Sequence, residues 1–342
     1  MEKTSGKSNI DLLNDCDNFP YYETDPGLYD AALDRLYTLQ VADDDTILGF
    51  VLPAVAEVLR GLPQWTLSDE DRSLVLDRPE DDSGDDDDGD GDGDGRLTEP
   101  QRTALVAQTT LAMRETGHFQ VLAGWRDELY PVYGRDGAML FRIERSASPL
   151  FGVVSYGVHM TGYRKEGGGY KFWIPRRAAT KQTYAGMLDN TVAGGLAAGE
   201  KPADALVREA EEEASLPAEL VREKTRPVGN VSYFLVRDER AGGETGLLQP
   251  ESQYVYDLEL PEDVVPKPND NEVESFQLMT TEEVQAALRN GEFKPNCALV
   301  MLDFFIRHGI LTPENEPDYL DIVSRLHRRF EFPTVRMPGT SL

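Results

Sequence analysis

The stretch GGLAAGEKPADALVREAEEEASL, residues 194–216, carries the strongest structural signal in the chain. Glu209, Glu212 and Glu213 are spaced so that they share one face of a helix. Three like charges on one face repel each other unless a cation lies among them. A hard divalent cation such as Mg²⁺ prefers carboxylate oxygens and keeps several of its waters. The segment therefore predicts a metal-dependent enzyme that acts on a phosphate compound.

The residues around these glutamates are typical of an amphipathic helix. Pro202 suits the first helical turn, where its missing N–H costs nothing. A second face of apolar residues recurs at three- and four-residue spacing and is expected to pack on a sheet. This face consists of Ala203, Leu206, Val207, Ala210 and Ala214.

A tight loop is predicted immediately before this helix. Gly194, Gly195 and Gly199 allow the chain to turn sharply and to pass close to a ligand. We expect Glu200 and Arg208 to form an ion pair that ties the loop to the helix. Such a pair would leave the other carboxylates of the helix free.

A run of glutamates on a helix is by itself typical of a solvated surface, so the specificity of the signal comes from the other spaced positions. The segment resembles the Nudix box, in which glycine, glutamate, arginine–glutamate and a glutamate pair follow at set distances. The chain supplies these positions in register as Gly194, Glu200, Arg208, Glu209, Ala210, Glu212, Glu213 and Leu216. It departs from the box at Ser215, where the family has glycine, and Ala210 is small for an apolar position.

The resemblance extends over most of the chain and points to one Nudix subgroup. Its members resemble proteins described as related to thiamine pyrophosphokinase, with an extra N-terminal domain. The segments that carry this likeness are FGVVSYGVHMTGY (151–163), WIPRRAATKQTYAGMLDNTVAGG (173–195), QYVYDLELP (253–261), NEVESFQLM (271–279) and FKPNCALVMLDFFIRHG (293–309). In this subgroup a proline usually precedes the glycine of the sequence GMLDN, whereas this chain has Ala185.

Composition limits the partners and the compartment. The chain has 342 residues, enough for two domains that each bury a core. Its formal net charge of −28 opposes binding to nucleic acid or to an anionic membrane surface, so we expect neither partner. Cys16 and Cys297 indicate neither a disulfide framework nor a zinc site. The N-terminal residues lack a signal-peptide or transit-peptide pattern and no apolar run has membrane-spanning length, so we expect a cytoplasmic protein.

An acidic insert occupies residues 80–95, which are almost entirely aspartate and glycine. A segment so rich in charge and so poor in apolar groups is expected to be disordered. The EF-hand calcium-loop spacing is matched by Asp88, Asp90, Asp92, Gly93 and Glu99. Repeated Asp-Gly produces this match by chance, so we interpret the insert as a disordered surface segment rather than a calcium site.

The periodicity divides the chain into two units. Residues 1–150 are predicted to form a small α+β accessory domain, which shapes the substrate pocket or forms a dimer contact. Its helices are predicted at 28–38, 46–60 and 100–115, and its strands within 118–134 and 138–145. Residues 151–342 are predicted to form the second domain, with strands at 151–163, 170–176, 227–237 and 254–260 and helices at 202–214, 281–290 and 296–308. The family resemblance implies an α/β fold class, with an α/β/α sandwich around a mixed sheet.

The resemblance also implies roles for the box residues. In the Nudix family the box glutamates hold divalent ions, and a metal-bound water attacks phosphorus. In this chain the ligands of Mg²⁺ or Mn²⁺ would be Glu209, Glu212 and Glu213. Arg208 and Glu200 would be the pair that orients them.

Residues outside the glutamate run complete the predicted site. An additional carboxylate that acts as ligand or base would be Glu272 or Glu274, although exposed acids beside a strand are an equally good interpretation of both. Cationic side chains on the strand and loop before the box, together with the box glycines, are predicted to contact the substrate phosphates. These substrate-binding candidates are Arg176, Arg177, Lys181, Gly194 and Gly195.

The predicted function is hydrolysis of the phosphoanhydride of an organic diphosphate. The subgroup resemblance implies that the substrate is an oxidised (oxo or oxy) form of thiamine diphosphate, cleaved to the monophosphate and phosphate in a metabolite-repair role. One alternative is a Nudix hydrolase of nucleotide-type diphosphates such as ADP-ribose, a nucleotide sugar or coenzyme A. Another is a catalytically silent Nudix-fold binding module. The sequence leaves the exact substrate, the base, the preferred metal and the oligomeric state open.

Overall fold

The computed structural model describes residues 6–42, 44–79 and 96–335. The acidic insert at 80–95 lies outside the described residues, so its predicted disorder stays a prediction; of the EF-hand-like spacing only Glu99, at the start of α4, is described. None of the helices in the described ranges combines the length and the apolar character needed to cross a membrane.

The N-terminal half forms a four-stranded sheet with helices against it. The elements in order are α1 (Asn9–Cys16), α2 (Pro26–Leu33), β1 (Tyr37–Val41), β2 (Asp44–Val51), α3 (Pro53–Leu59), β3 (Trp65–Ser68), β4 (Ser73–Leu76), α4 (Glu99–Thr116), β5 (Leu129–Tyr133) and β6 (Met139–Glu144). The order in the sheet is β2-β1-β4-β3, with β1 and β4 parallel, and β5 pairs with β6 separately. Apolar side chains of this sheet, α3, α4 and the β5–β6 pair form one core.

Two predicted helices of this half differ from the observed elements. The prediction of a helix over 46–60 is wrong in its first half, because that part belongs to β2 and pairs with β1. Its β-branched and aromatic side chains suit a strand, and Pro53 then begins α3 in its first turn. The last residues predicted as helix over 28–38 similarly belong to β1. The helix predicted over 100–115 is confirmed by α4.

The C-terminal half is built on a mixed six-stranded sheet. The elements are α5 (Ser148–Phe151), β7 (Ser155–Glu166), β8 (Gly169–Arg177), β9 (Val192–Gly195), α6 (Pro202–Ala214), α7 (Ala218–Lys224), β10 (Arg226–Val236), β11 (Leu248–Glu259), β12 (Val273–Thr280), α8 (Thr281–Arg289), α9 (Pro295–Arg307) and α10 (Tyr319–Arg325). The order is β10-β11-β7-β8-β12, with β9 beside β7. The β11–β7 pair is parallel and the others are antiparallel, so the predicted mixed sheet is confirmed.

Helices cover both faces of this sheet, which confirms the α/β/α sandwich. On one face, apolar residues of α6 and α7 pack against β7, β9 and β11. On the other, α9 contributes a nearly continuous buried surface that includes Phe304 and Phe305 and is joined by α1 and α8. Strands buried on both faces explain the long apolar runs in the sequence.

The first helix departs from the predicted domain division. The sequence predicts one unit over residues 1–150, yet Leu12, Leu13 and Cys16 of α1 lie in the core of the second unit beside α9. Helix α1 therefore packs in the C-terminal sandwich, although it precedes the strands of the N-terminal sheet in the sequence.

Candidate active site

The Nudix-box segment forms β9, a short loop and α6, as its spacing predicts. Pro202 stands at the start of α6, and the buried apolar face contains Ala205, Leu206, Val207, Ala210 and Ala214. The prediction that Ala203 belongs to this face is wrong, because Ala203 lies in the exposed first turn and Ala205 takes its place. The apolar face anchors α6 to the sheet and thereby holds the opposite, acidic face in position.

Two of the three predicted metal ligands are buried beside the box glycines. Glu209 is 9% exposed and Glu213 is 8% exposed, whereas the side chain of Glu212 is 53% exposed. Glu213 Oε2 accepts a hydrogen bond of 2.9 Å from the N–H of Ala193 on β9. A Cβ at Gly194 would lie 2.0 Å from the carboxyl carbon of Glu209, so glycine at this position makes room for the carboxylate.

Arg208 connects the loop to the acidic face of α6. Its Nε and Nη2 donate to the two carboxylate oxygens of Glu200 at 3.0 and 3.1 Å, which is the predicted pair in bidentate geometry. The expectation that the remaining carboxylates are free is wrong, however. Arg208 Nη1 also donates to Glu209 at 2.9 Å and to Glu212 at 3.1 Å. One guanidinium therefore neutralises part of the charge on the glutamate face.

The electrostatics of this face favour a cation. Burial raises the pKa of Glu213 well above its ordinary value, and the charges of Glu209 and Asp189 raise it further. Burial also raises the pKa of Glu209, although Arg208 and then Arg145 oppose that shift. A hard divalent cation would relieve both effects and fits this all-carboxylate donor set.

The ligand set is not gathered around a single point. Over residues 6–42, 44–79 and 96–335, no three His, Cys, Asp or Glu side chains meet closely enough to hold an ion. Glu209 and Glu212 instead share Arg208. Their convergence on an ion would therefore require Arg208 Nη1 to give up at least one of these contacts.

The two candidate extra carboxylates lie in different surroundings. Glu272 accepts hydrogen bonds from Lys181 and from Arg126, the latter at 2.9 Å, whereas Glu274 is exposed on β12. Although burial opposes the shift, the bonds from Lys181 and Arg126 lower the pKa of Glu272 to about 2. Burial lowers the pKa of Lys181, while the charges of Glu272 and Glu213 raise it. Lys181 therefore interacts with both Glu272 and the buried box glutamate.

The predicted phosphate-binding arginines are engaged within the protein. Arg177 is 6% exposed and forms an ion pair of 2.6 Å with buried Asp189, and its other donors reach the carbonyls of Thr183 and Tyr184. Arg176 Nη1 donates to a loop carbonyl at 2.7 Å. Both side chains thus brace the loop before β9, and every guanidinium nitrogen of Arg177 already has a partner within the protein.

A pocket opens beside the box glycines between the two halves of the chain. Its lining includes Gly194 and Gly195 of the box, together with residues from both halves: Arg126, Tyr130, Arg145, Ser146, His159, Tyr184, Arg237, Glu251, Gln253, Lys294 and Asn296. Sequence reasoning missed Tyr130 and Arg145, because nothing in the local pattern around β5 and β6 indicates that they meet the box. The predicted role of the N-terminal half in shaping a pocket agrees with this lining.

Two models of protein families match parts of this chain. The sequence model described as NUDIX domain matches residues 157–297, and one described as Domain of unknown function (DUF4743) matches residues 96–155. The Saccharomyces cerevisiae protein named Uncharacterized protein YJR142W is 43% identical over 240 residues, which is 68% of this chain and 70% of that protein. The match to the NUDIX domain model places a Nudix domain within the chain.

Two plant relatives carry enzyme names. Nudix hydrolase 20, chloroplastic, from Arabidopsis thaliana is 41% identical over 236 residues, and Nudix hydrolase 24, chloroplastic, from the same plant is 39% identical over 233 residues. These alignments cover 68% and 67% of this chain and 60% of each relative. The predicted enzyme class, a Nudix diphosphate hydrolase, is confirmed. Because both names place the plant proteins in the chloroplast, the predicted cytoplasmic location stays a prediction.

Proposed function

We propose that this enzyme cleaves the phosphoanhydride of an organic diphosphate with the help of Mg²⁺ or Mn²⁺. The observation that carries this proposal is the pair of buried glutamates, Glu209 and Glu213, beside the glycine wall of an open pocket. Two buried carboxylates with raised pKa values are costly unless a cation compensates them. A bound divalent ion supplies Lewis-acid and water-activating chemistry when present.

The chain's own residues then have distinct roles. Glu209, Glu212 and Glu213 would hold the cation, and Glu200 would hold Arg208 in place through its two hydrogen bonds. The contact between Ala193 and Glu213 sets the distance between β9 and α6. These contacts orient the ligands before substrate arrives, so little reorganisation is needed at the site.

Glu272 is the better candidate for the additional carboxylate. It is partly buried and ionised at neutral pH, and its partner Lys181 also interacts with Glu213. Glu274 lies on the exposed face of β12. We propose that Glu272 and Lys181 act together, because Lys181 bonds to Glu272 and also interacts electrostatically with Glu213.

For the substrate we propose an oxidised form of thiamine diphosphate, on the strength of the subgroup resemblance. The pocket offers neutral hydrogen-bonding groups that suit an uncharged heterocycle, including Gln253 and Asn296. The Oε1 atom of Gln253 is buried beside Gly157 and has no hydrogen-bond partner among the described residues.

Phosphate release tests both levels of the proposal. The panel contains oxothiamine diphosphate, thiamine diphosphate, ADP-ribose and coenzyme A, each with Mg²⁺. Faster hydrolysis of oxothiamine diphosphate than of the other compounds supports the repair role. Faster hydrolysis of a nucleotide supports the proposed diphosphate hydrolysis but rejects the proposed substrate. If the protein binds metal but releases phosphate from none of these compounds, the result favours the alternative of a catalytically silent binding module.

Matched variants of α6 test the proposed ligands. Glu212→Gln removes a charge from an exposed side chain and should lower kcat by about 100-fold or more, because metal ligation contributes several kcal/mol. Glu211→Gln removes the same charge from the adjacent exposed position and should leave kcat unchanged. Equal activity in the two variants would show that Glu212 is not a ligand.

A further inference from the structure

Residues that precede the Nudix sheet touch the box loop directly. The N–H of Ala198 in the loop donates to the carbonyl of Leu129 on β5 at 2.8 Å. At Gly195, a Cβ would lie 2.0 Å from the hydroxyl oxygen of Tyr130 and 3.3 Å from Nη1 of Arg145. The wall opposite the box glycine is therefore made by β5 and by the turn after β6.

The guanidinium of Arg145 has hydrogen-bond donors that no protein acceptor uses among the described residues. Within the described residues its side chain donates one hydrogen bond, from Nη1 to Glu128 Oε2 at 2.8 Å. The guanidinium carbon lies 5.7 Å from the centre of the Tyr130 ring, and the side chain is 35% exposed toward the pocket that it lines. Its Nε and Nη2 are consequently available to a ligand.

The pocket has the opposite charge balance to the chain. The chain carries a net charge of −28, whereas Glu251 is the acid of the pocket lining among the described residues. The cationic lining residues are Arg126, Arg145, Arg237 and Lys294. Arg237 is 6% exposed, and its Nε has no hydrogen-bond partner in the described part of the chain. Cations concentrated in a concave site on an acidic protein attract an anionic ligand.

Arg145 also acts on the box carboxylates. Nη1 of Arg145 lies 3.3 Å from the Cβ position of Gly195, and the carboxyl carbon of Glu209 lies 2.0 Å from the Cβ position of the preceding Gly194. The guanidinium therefore lies within electrostatic range of a proposed metal ligand. A phosphate group that reaches the box glycines also reaches Arg145.

We propose that Arg145 is a substrate-binding residue, supplied from outside the Nudix sheet, which binds a phosphate oxygen through donors that Glu128 does not use. The identity of the substrate rests on the proposed function, but the phosphate contact does not require it. A planar guanidinium with two free donors suits a phosphate better than an ammonium does. The N-terminal segment thus completes the active site rather than only flanking it.

Calorimetric titration of the full chain with inorganic pyrophosphate in EDTA tests this contact without metal. Arg145→Gln should raise Kd about 10-fold or more, the loss expected for a charge-assisted hydrogen bond, and Arg145→Lys should raise it less. The matched control is Arg142→Gln, which removes the same charge from β6 at a residue that pairs with Glu99 and does not line the pocket. The control should bind pyrophosphate as the unmodified protein does.

A second variant separates ligand binding from a structural role. Glu128→Gln removes the protein partner of Arg145 but keeps its charge. If Arg145 only braces the loop, both variants should weaken pyrophosphate binding equally; if Arg145 binds phosphate, Glu128→Gln should keep or strengthen it. Equal Kd values for Arg145→Gln and Arg142→Gln would overturn the proposal, as would failure of the unmodified protein to bind pyrophosphate. The absence of phosphate release from every compound of the substrate panel would instead reject the proposed function, whatever Kd is measured for pyrophosphate.

Discussion

Ser215 shows, at the scale of one residue, why the Nudix box has glycine at this position. It ends α6 in the left-handed conformation, with φ 53° and ψ 31°. This conformation costs an L-residue roughly 1–2 kcal/mol. Its hydroxyl donates to the carbonyl of Lys267 at 3.0 Å, which offsets part of that cost. The departure from the box thus affects the end of the helix and leaves the carboxylates in place.

Ser215→Gly should be more stable than Ser215→Ala by about 1 kcal/mol in urea unfolding. Both variants lose the hydroxyl contact, but only alanine keeps the side-chain cost of the left-handed backbone. Because neither change touches a proposed ligand, both variants should keep the activity of the unmodified protein. Equal stability of the two would show that this backbone position is not strained.

A buried histidine makes stability depend on pH. His159 is 2% exposed, and its Nδ1 lies 2.7 Å from the side-chain oxygen of Asn190. Burial, with a smaller contribution from Lys294, lowers the pKa of His159 to about 4 from an ordinary value of 6.5. Folding therefore favours the neutral ring. The stability from this site is complete above pH 6.5 and is lost as the pH falls toward 4.

We expect His159 to account for about 2 kcal/mol of the fall in unfolding free energy between pH 8 and pH 5. The comparison is with His159→Gln, which lacks the titrating ring while the carboxylates stay the same. The measurement is urea unfolding of both proteins at each pH. Parallel pH curves for the two proteins would mean that the ring titrates normally in the folded state.

At the scale of elements, the site depends on how the loop after β9 is joined to α6. The loop is bound on one side by the bidentate Glu200–Arg208 pair and on the other by the Leu129 carbonyl. The side chains of Glu200 and Arg208 are 21% and 38% exposed, so solvent screens their contribution to stability. Their main effect should be on the position of Arg208 rather than on the stability of the fold.

Glu200→Gln should lower kcat about 10-fold while it lowers the unfolding free energy by no more than about 1 kcal/mol. The amide keeps one acceptor oxygen but turns two donors toward Arg208. Asp204→Asn is the matched control, since Asp204 lies in the first turn of α6 and forms an exposed pair of 3.5 Å with Arg222 of α7. If Asp204→Asn lowers kcat as much as Glu200→Gln does, the fall in kcat results from the loss of a negative charge near α6 and not from the loss of the Glu200–Arg208 pair.

Element prediction succeeded where local pattern and tertiary pairing agree. The residues of α6, α8 and α9 have helical spacing and suitable first turns, and their helices form as predicted. The residues of β2 are predicted as helix because their apolar positions also fit helical spacing. The pairing of β2 with β1 decides the outcome, and that pairing is not encoded within the segment.

At the scale of the whole molecule, the two ends of the described chain are joined by a buried ion pair. Asp17, directly after α1, accepts a hydrogen bond of 3.0 Å from Nη1 of Arg328 beyond α10. The two residues are 1% and 4% exposed. The same carboxylate accepts a bond from the N–H of Phe234 on β10, so the pair also fixes the edge of the sheet.

Asp17→Asn should lower the unfolding free energy by about 3 kcal/mol, because it removes the buried counter-charge of Arg328 and leaves only the more exposed Glu331 at 3.9 Å. Asp34→Asn is the control, since it removes the same charge from an exposed residue and should change stability little. Thermal and urea unfolding measure both. Arg328 also donates to the carbonyls of Phe19 and Pro20 at 2.7 and 2.8 Å. A small effect for Asp17→Asn would mean that these carbonyls suffice to hold the guanidinium.

The sequence alone determined the type of site, because its defining contacts are local. Glu200, Arg208, Glu209, Glu212 and Glu213 lie on one short loop and one helix, where spacing dictates which side chains meet. Only the tertiary structure decided which distant residues face that helix. Arg145 reached the box, and Arg177 was bound to Asp189, because packing of the sheets brings together residues that no local pattern relates.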